Sequence, residues 1–207
     1  MDVSIFKQGD SQAWLNLALV PGIGPKTIKA IEQSNLSPID VYSLDPSQKK
    51  QLGLNQKVID YLQKYPPHRP SREVEKTLNW AEKDSHYLLT IHDDKYPERL
   101  KNISSVPPLL MVKGKIEALK FTQLAIVGSR YPTLAGEQQA YEFSQALTDM
   151  GLTITSGLAK GIDACAHKGA LQAGGSSIAV LGNGLNEIYP KQNSQLSEEL
   201  CEKGAII

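Results

Sequence analysis

The sequence predicts an α/β protein: a parallel sheet with helices on both faces, preceded by a small all-α domain. Three observations lead there. From Leu124 onward, short apolar runs alternate with helix-period segments, and each run ends in a glycine-containing turn, the pattern of successive βα units. Before residue 65, apolar residues recur at helical spacing without a strand-like run. Between these regions lies Tyr65-Pro-Pro-His-Arg-Pro-Ser71, whose prolines interrupt any regular element. The expected organisation is a helical domain over 1–65, a linker over 66–70 and a sheet domain over 71–207.

Composition narrows the function classes. With 41% hydrophobic and 21% charged residues, the chain reads as globular rather than disordered. Its 22 basic and 22 acidic residues cancel, so a nucleic-acid partner would have to be held by a local basic site. Cys165 and Cys201 lie far apart, without the paired Cys/His spacing of a metal site or a disulfide framework, and read as inert thiols. Neither a secretory segment nor an apolar run near 18 residues occurs. The expectation is a cytoplasmic protein with no membrane role.

In chain order, Ser11 to Asn35 reads as helix, turn, helix. Leu15, Ala18 and Leu19 share one face and Ile28 and Ile31 another, with Pro21-Gly-Ile-Gly-Pro25 between them. Pro21 disfavours helix at Val20, the glycines permit a sharp turn, and Pro25 suits a first helical turn. Leu19-Val-Pro-Gly-Ile-Gly-Pro-Lys26 resembles a helix-hairpin-helix motif, whose turn amides can hold a DNA phosphate or which can survive as a packing unit alone. Residues 36–65 carry two or three further short helices, with Lys49-Lys50 on a solvated face. Ser71 can cap a helix to about Lys83 bearing Val74, Leu78 and Ala81. Two lead-in strands follow, Tyr87–His92 and Leu109–Val112.

The regular alternation then begins. A strand ends at Val127, and a helix carries Ala140, Phe143, Leu147 and Met150 as its stripe, stopped by Gly151. The second strand is Leu152–Thr155, and Asp163 can cap the helix behind it, which ends at Gly174-Gly175. Ser177–Leu181 is the third strand, followed by a helix with Leu196 and Leu200 ending at Gly204. Ala205–Ile207 opens a fourth strand and stops, as a segment of a longer protein would.

Right-handed crossovers place the three loops on one sheet edge. Gly128-Ser129-Arg130 brings a guanidinium and amides. Ser156-Gly157 with Lys160-Gly161 brings a hydroxyl, an ammonium and a helix start. Asn183 and Lys191 bring an amide and a second ammonium. Together they describe a polyanion site, because Arg forks phosphate oxygens while Lys acts as a point charge. Tyr131 and Tyr189 are candidates for base stacking or for the core. His167 stands four residues after Asp163, the spacing of a pair on a helix surface. Ser129 or Ser156 with these two would imitate a hydrolase, but no Gly-x-Ser-x-Gly elbow occurs, and no Gly-x-Gly-x-x-Gly marks a dinucleotide site. A nucleotide- or sugar-phosphate-processing enzyme on the same fold is the alternative.

Taken together, Gly128-Ser-Arg130, Ser156-Gly-Leu-Ala-Lys-Gly-Ile-Asp163, Ala166-His167, Gly169-Ala-Leu171, Leu181-Gly-Asn-Gly184 and Tyr189-Pro190 resemble the DNA-processing protein A (DprA/Smf) family. Tyr96-Pro97 with Leu100, and Pro108-Leu109 with Gly114, match as well. The resemblance implies an extended Rossmann-like domain behind a helical domain related to SAM and helix-hairpin-helix folds. It implies a homodimer that binds single-stranded DNA without sequence preference and loads RecA in natural transformation, with no catalysis, cofactor or metal. By motif position, Arg130, Lys160 and Lys191 contact phosphates, and Gly128, Ser129, Ser156, Gly157, Gly161 and Asn183 line the groove. Many members continue through a longer sheet and some into a winged-helix domain, beyond what these 207 residues hold.

Overall fold

The computed structural model describes residues 8–34 and 36–207; residues 1–7 and Asn35, onto which the expected helical domain and hairpin extend, lie outside the described residues. The chain divides into two compact units, Met1–Lys83 with Leu88–Leu110, and Asp84–Tyr87 with Met111–Ile207.

Among the described residues, six α-helices belong to the first unit: α1 (Gln8–Ala18), α2 (Pro25–Gln33), α3 (Pro38–Ser43), α4 (Pro46–Gln51), α5 (Gln56–Lys64) and α6 (Arg72–Ala81). Short polar side chains start four of them. Ser37, Asp45, Asn55 and Ser71 each accept a backbone N–H of the first turn, and Asp40 and Gln48 reciprocate to their caps. Leu17, Val20, Ile31, Val41, Leu54, Val58, Ile59 and Leu62 form a core to which α1, α2, α3 and α5 contribute. Gly22, at φ +98°, makes the turn between α1 and α2, and a Cβ there would stand 3.3 Å from Val58.

Two expectations change here. Leu19 is exposed and Leu17 takes the buried place on α1, because the helix ends at Ala18 and Leu19 already belongs to the turn. Lys49 is buried rather than solvated. Its Nζ donates to the Tyr42 carbonyl at 2.9 Å, and burial holds its pKa below the ordinary lysine value.

The sheet has the order β1-β2-β6-β5-β4-β3, with β1 (His86–Thr90), β2 (Leu109–Gly114), β3 (Gln123–Ala125), β4 (Thr153–Ser156), β5 (Ser177–Ala179) and β6 (Ala205–Ile206). Strands β3 to β6 run parallel, with Leu124 opposite Ile154, Thr155 opposite Ile178 and Ile178 opposite Ala205. Against this, β2 pairs antiparallel with β6. The crossover helices are α7 (Leu134–Asp149), α8 (Ile162–Gln172) and α9 (Ser194–Lys203). Each crossover advances one strand in the same direction, so successive helices pack side by side.

The buried stripe of α7 differs from the expected one. Phe143 and Met150 are 64% and 77% exposed, whereas Ala140, Ser144 and Thr148 are buried. The cause is the closeness of α8. Ser144 Oγ donates to the Ala166 carbonyl, and Gly169 lies directly against the Tyr141 carbonyl, so only small side chains fit at the contact. A Cβ at position 169 would enter that carbonyl's space. Gly169→Ala should therefore separate the two helices and destabilise the fold by about 1–3 kcal/mol, read as a lower denaturant midpoint. An unchanged midpoint would show that this contact can relax without cost.

Candidate functional site

Loops leave the carboxyl ends of β3, β4 and β5 on one edge of the sheet, where open α/β folds hold their ligands. The second loop, residues 157–161, is the most constrained. Asp163, in the first turn of α8, accepts the Gly157 N–H at 3.1 Å and the Ala159 N–H at 3.4 Å. It is thus not the helix cap that its position suggested. Gly161 holds the cap position at φ 77°, and the carboxylate reaches back across the loop instead. Leu158, at φ 56°, is fully buried.

Asn193, at the start of α9, is the residue that sequence reasoning missed. It is buried, and its Nδ2 donates to the carbonyls of Leu158 at 2.9 Å and Ala159 at 3.2 Å. Asparagine before a helix reads as a cap, yet this side chain makes no capping bond. It ties the third loop to the second. The first loop is tied there too: Ile162 N–H donates to the Ser129 carbonyl at 3.1 Å, and Gly161 lies against the Ser129 carbonyl and Pro132. Gly128 rests on Ile162, so close that a Cβ would come within 2.8 Å of its side chain.

Among the predicted residues, Arg130, Lys160 and Lys191 are exposed on these linked loops. None of the three forms an ion pair among the described residues. Gly128 and Ser129 are exposed beside Arg130, and Ser129 Oγ accepts the Tyr131 N–H at 3.0 Å. Gly157 and Gly161 bound the second loop. Asn183 is exposed, and its Nδ2 donates to the Glu187 carbonyl at 2.8 Å within the third loop. Ser156 is brought to the edge, but its hydroxyl is occupied: it is buried and donates to the Ile126 carbonyl at 2.6 Å, joining the ends of β3 and β4.

Tyr131 and Tyr189 belong to the surface, at 87% and 71% exposure, and not to the core. Both cysteines are free, and burial pushes their thiols above the ordinary cysteine value. Among the described residues no His, Cys, Asp and Glu cluster could hold a metal, and no helix is long and apolar enough to cross a membrane.

His167 forms no surface pair with Asp163. It is fully buried, with Nδ1 2.7 Å from Ser177 Oγ. Ser177 gives its own proton to the Ile154 carbonyl at 2.7 Å, so its oxygen must accept from His167 Nδ1–H. Nε2 then carries the lone pair, buried and without a partner. Protonating it would create a buried charge with no acceptor, and burial accordingly pushes the pKa down to about 4.

The chain matches the sequence profile of the family described as DNA recombination-mediator protein A over residues 87–207. It is 44% identical over 138 residues to protein Smf of Escherichia coli, covering 67% of this chain and 37% of that one. Among solved structures it is similar to DNA processing protein A from Streptococcus pneumoniae. That match has a TM-score of 0.72 and 30% identity, across 93% of this chain and 64% of the other. It is also similar to DNA processing protein A from Helicobacter pylori, described for its single-stranded DNA binding mode, with a TM-score of 0.51, 28% identity and coverage of 57% and 54%. The chain spans half or less of the length of the curated relatives it matches.

Neutral in the fold and titrating near 6.5 when unfolded, His167 stabilises the native state fully only above that unfolded value. Its contribution should be lost as pH falls from about 6.5 toward 4, by a few kcal/mol in all. His167→Asn, which retains a donor toward Ser177 but does not titrate, should show a smaller fall in melting temperature between pH 7 and pH 4.5. An equal fall in both proteins would assign acid sensitivity to other groups.

Proposed function

The chain belongs to the DNA recombination-mediator protein A family, and from that premise we propose that it binds single-stranded DNA without sequence preference, through phosphates neutralised by Arg130, Lys160 and Lys191. The observation that carries this reading is the cross-tying of the three loops. Ser129 is bonded to the start of α8 and Asn193 to the second loop, which sets three exposed cations on one connected backbone. Fixed cations on neighbouring loops suit a ligand with successive negative charges. Gly128, Ser129, Gly157, Gly161 and Asn183 line the groove between them, and Ser156 supports it from beneath by holding Ile126.

The relatives support the same reading: they include DNA processing proteins, one of them described for its single-stranded DNA binding mode. In the same reading, residues 1–65 are a helical domain joined through 66–70 to the DNA-binding domain at 71–207. The protein acts as a cytoplasmic homodimer that protects incoming DNA and loads the RecA recombinase during natural transformation. Family membership supports this wider role.

The test is a salt series of affinities for one oligonucleotide, single-stranded and as duplex. Single strands should bind more tightly, and base composition should matter little. Arg130→Ala, Lys160→Ala and Lys191→Ala should each weaken binding to all sequences alike and reduce the magnitude of the log-log salt slope by about 0.7. Parental slopes from all three variants, each with an unchanged melting temperature, would remove the site.

The proposal includes no catalytic step. Nucleoside monophosphates and sugar phosphates should remain unchanged on prolonged incubation, followed by chromatography. Base release that disappears in Asp163→Asn or His167→Asn would replace this reading with an enzymatic one.

A further inference from the structure

Two exposed tyrosines stand on the same backbone as the cations. Tyr131 follows Arg130, and Tyr189 precedes Lys191 by two residues. An isolated exposed aromatic residue needs no explanation, but these two share a setting. Each ring projects from a fixed segment. Tyr131 N–H donates to Ser129 Oγ, and the adjoining Pro132 lies against Gly161. Beside Tyr189, Pro190 is buried, and its carbonyl accepts the Asn193 N–H at 2.9 Å. Asn193 is the residue whose side chain holds the second loop. With the backbone fixed, a tyrosine has only two side-chain torsions left to order when a flat partner settles on it.

Resting on the single-strand reading above, we infer that Tyr131 and Tyr189 are stacking platforms for nucleobases of the bound strand, and that they supply the site's discrimination against duplex. Every base has a π-face, so stacking tolerates any sequence, as a non-specific binder requires. In a duplex those faces are covered by neighbouring pairs, so a side-chain ring cannot stack on them. Strand β4 separates β3 from β5, so the loops that carry the two rings arise about 10 Å apart. On separate loops, the two rings take different nucleotides of one strand, with the cations holding the phosphates beside them.

The experiment compares a 12-residue thymidine oligonucleotide with a fully abasic strand of the same length and charge, using the 207-residue chain. The parent should bind the thymidine strand more tightly. Tyr131→Leu and Tyr189→Leu should each weaken that binding about fivefold or more, leave abasic binding unchanged and keep the parental salt slope. Tyr131→Phe and Tyr189→Phe should bind as the parent does. Equal parental affinity for the two strands, or Leu variants that lose both ligands alike, would overturn stacking while leaving phosphate binding in place. No parental binding to either strand would overturn both readings.

Discussion

The second loop is held by two side chains of opposite hydrogen-bonding sense. Asp163 accepts from the amides of Gly157 and Ala159, and Asn193 donates to the carbonyls of Leu158 and Ala159. A segment outside helix and sheet leaves backbone groups that must find partners when buried. Here one partner comes from the first turn of α8 and the other from the start of α9. Leu158 adopts a left-handed conformation, unusual for a residue other than glycine, and its side chain is fully buried. Anchored in this way, the loop becomes the reference against which the first and third loops are set.

The same constraint explains the packing beneath. The start of α8 must lie against the first loop, where Gly128 and Gly161 allow backbone and side chain to touch. The helix then runs close to α7, where Gly169, Ala166 and Ser144 leave room for little else. On the sheet side, Ile154, Ala166 and Ala170 pack with Ile126 and Leu147. His167 replaces another apolar contact with a bond to Ser177, which itself spans to the Ile154 carbonyl. Small residues thus fix the helix spacing, and a buried polar chain fixes α8 against β4 and β5.

Electrostatics at this edge is local. The chain has no net charge, and beyond about 8–10 Å physiological salt screens what distant surface groups contribute. Asp163, whose carboxylate reaches back into the second loop, is engaged by two backbone amides rather than by any of the three cations. Arg130, Lys160 and Lys191 are exposed, and none of them forms an ion pair among the described residues.

Much of this was legible in the sequence, because strand and helix periodicity, prolines and glycines act locally. The alternation from Leu124 onward marked each βα unit, Ser71 marked the start of α6, and the right-handed crossover rule placed the three loops together. What tertiary structure alone decided depends on distances between residues remote in sequence. Phe143 and Met150 have the right period to share a buried stripe with Ala140, yet the close approach of α8 puts Ser144 and Thr148 there instead. Lys49 and His167 look like surface groups until neighbouring elements enclose them. The amide of Asn193 resembles a helix cap, but its partners lie 34 and 35 residues away. A local pattern states which conformation each segment prefers; only the folded chain determines which polar atom finds which partner, because that choice depends on which remote groups are brought within hydrogen-bonding distance.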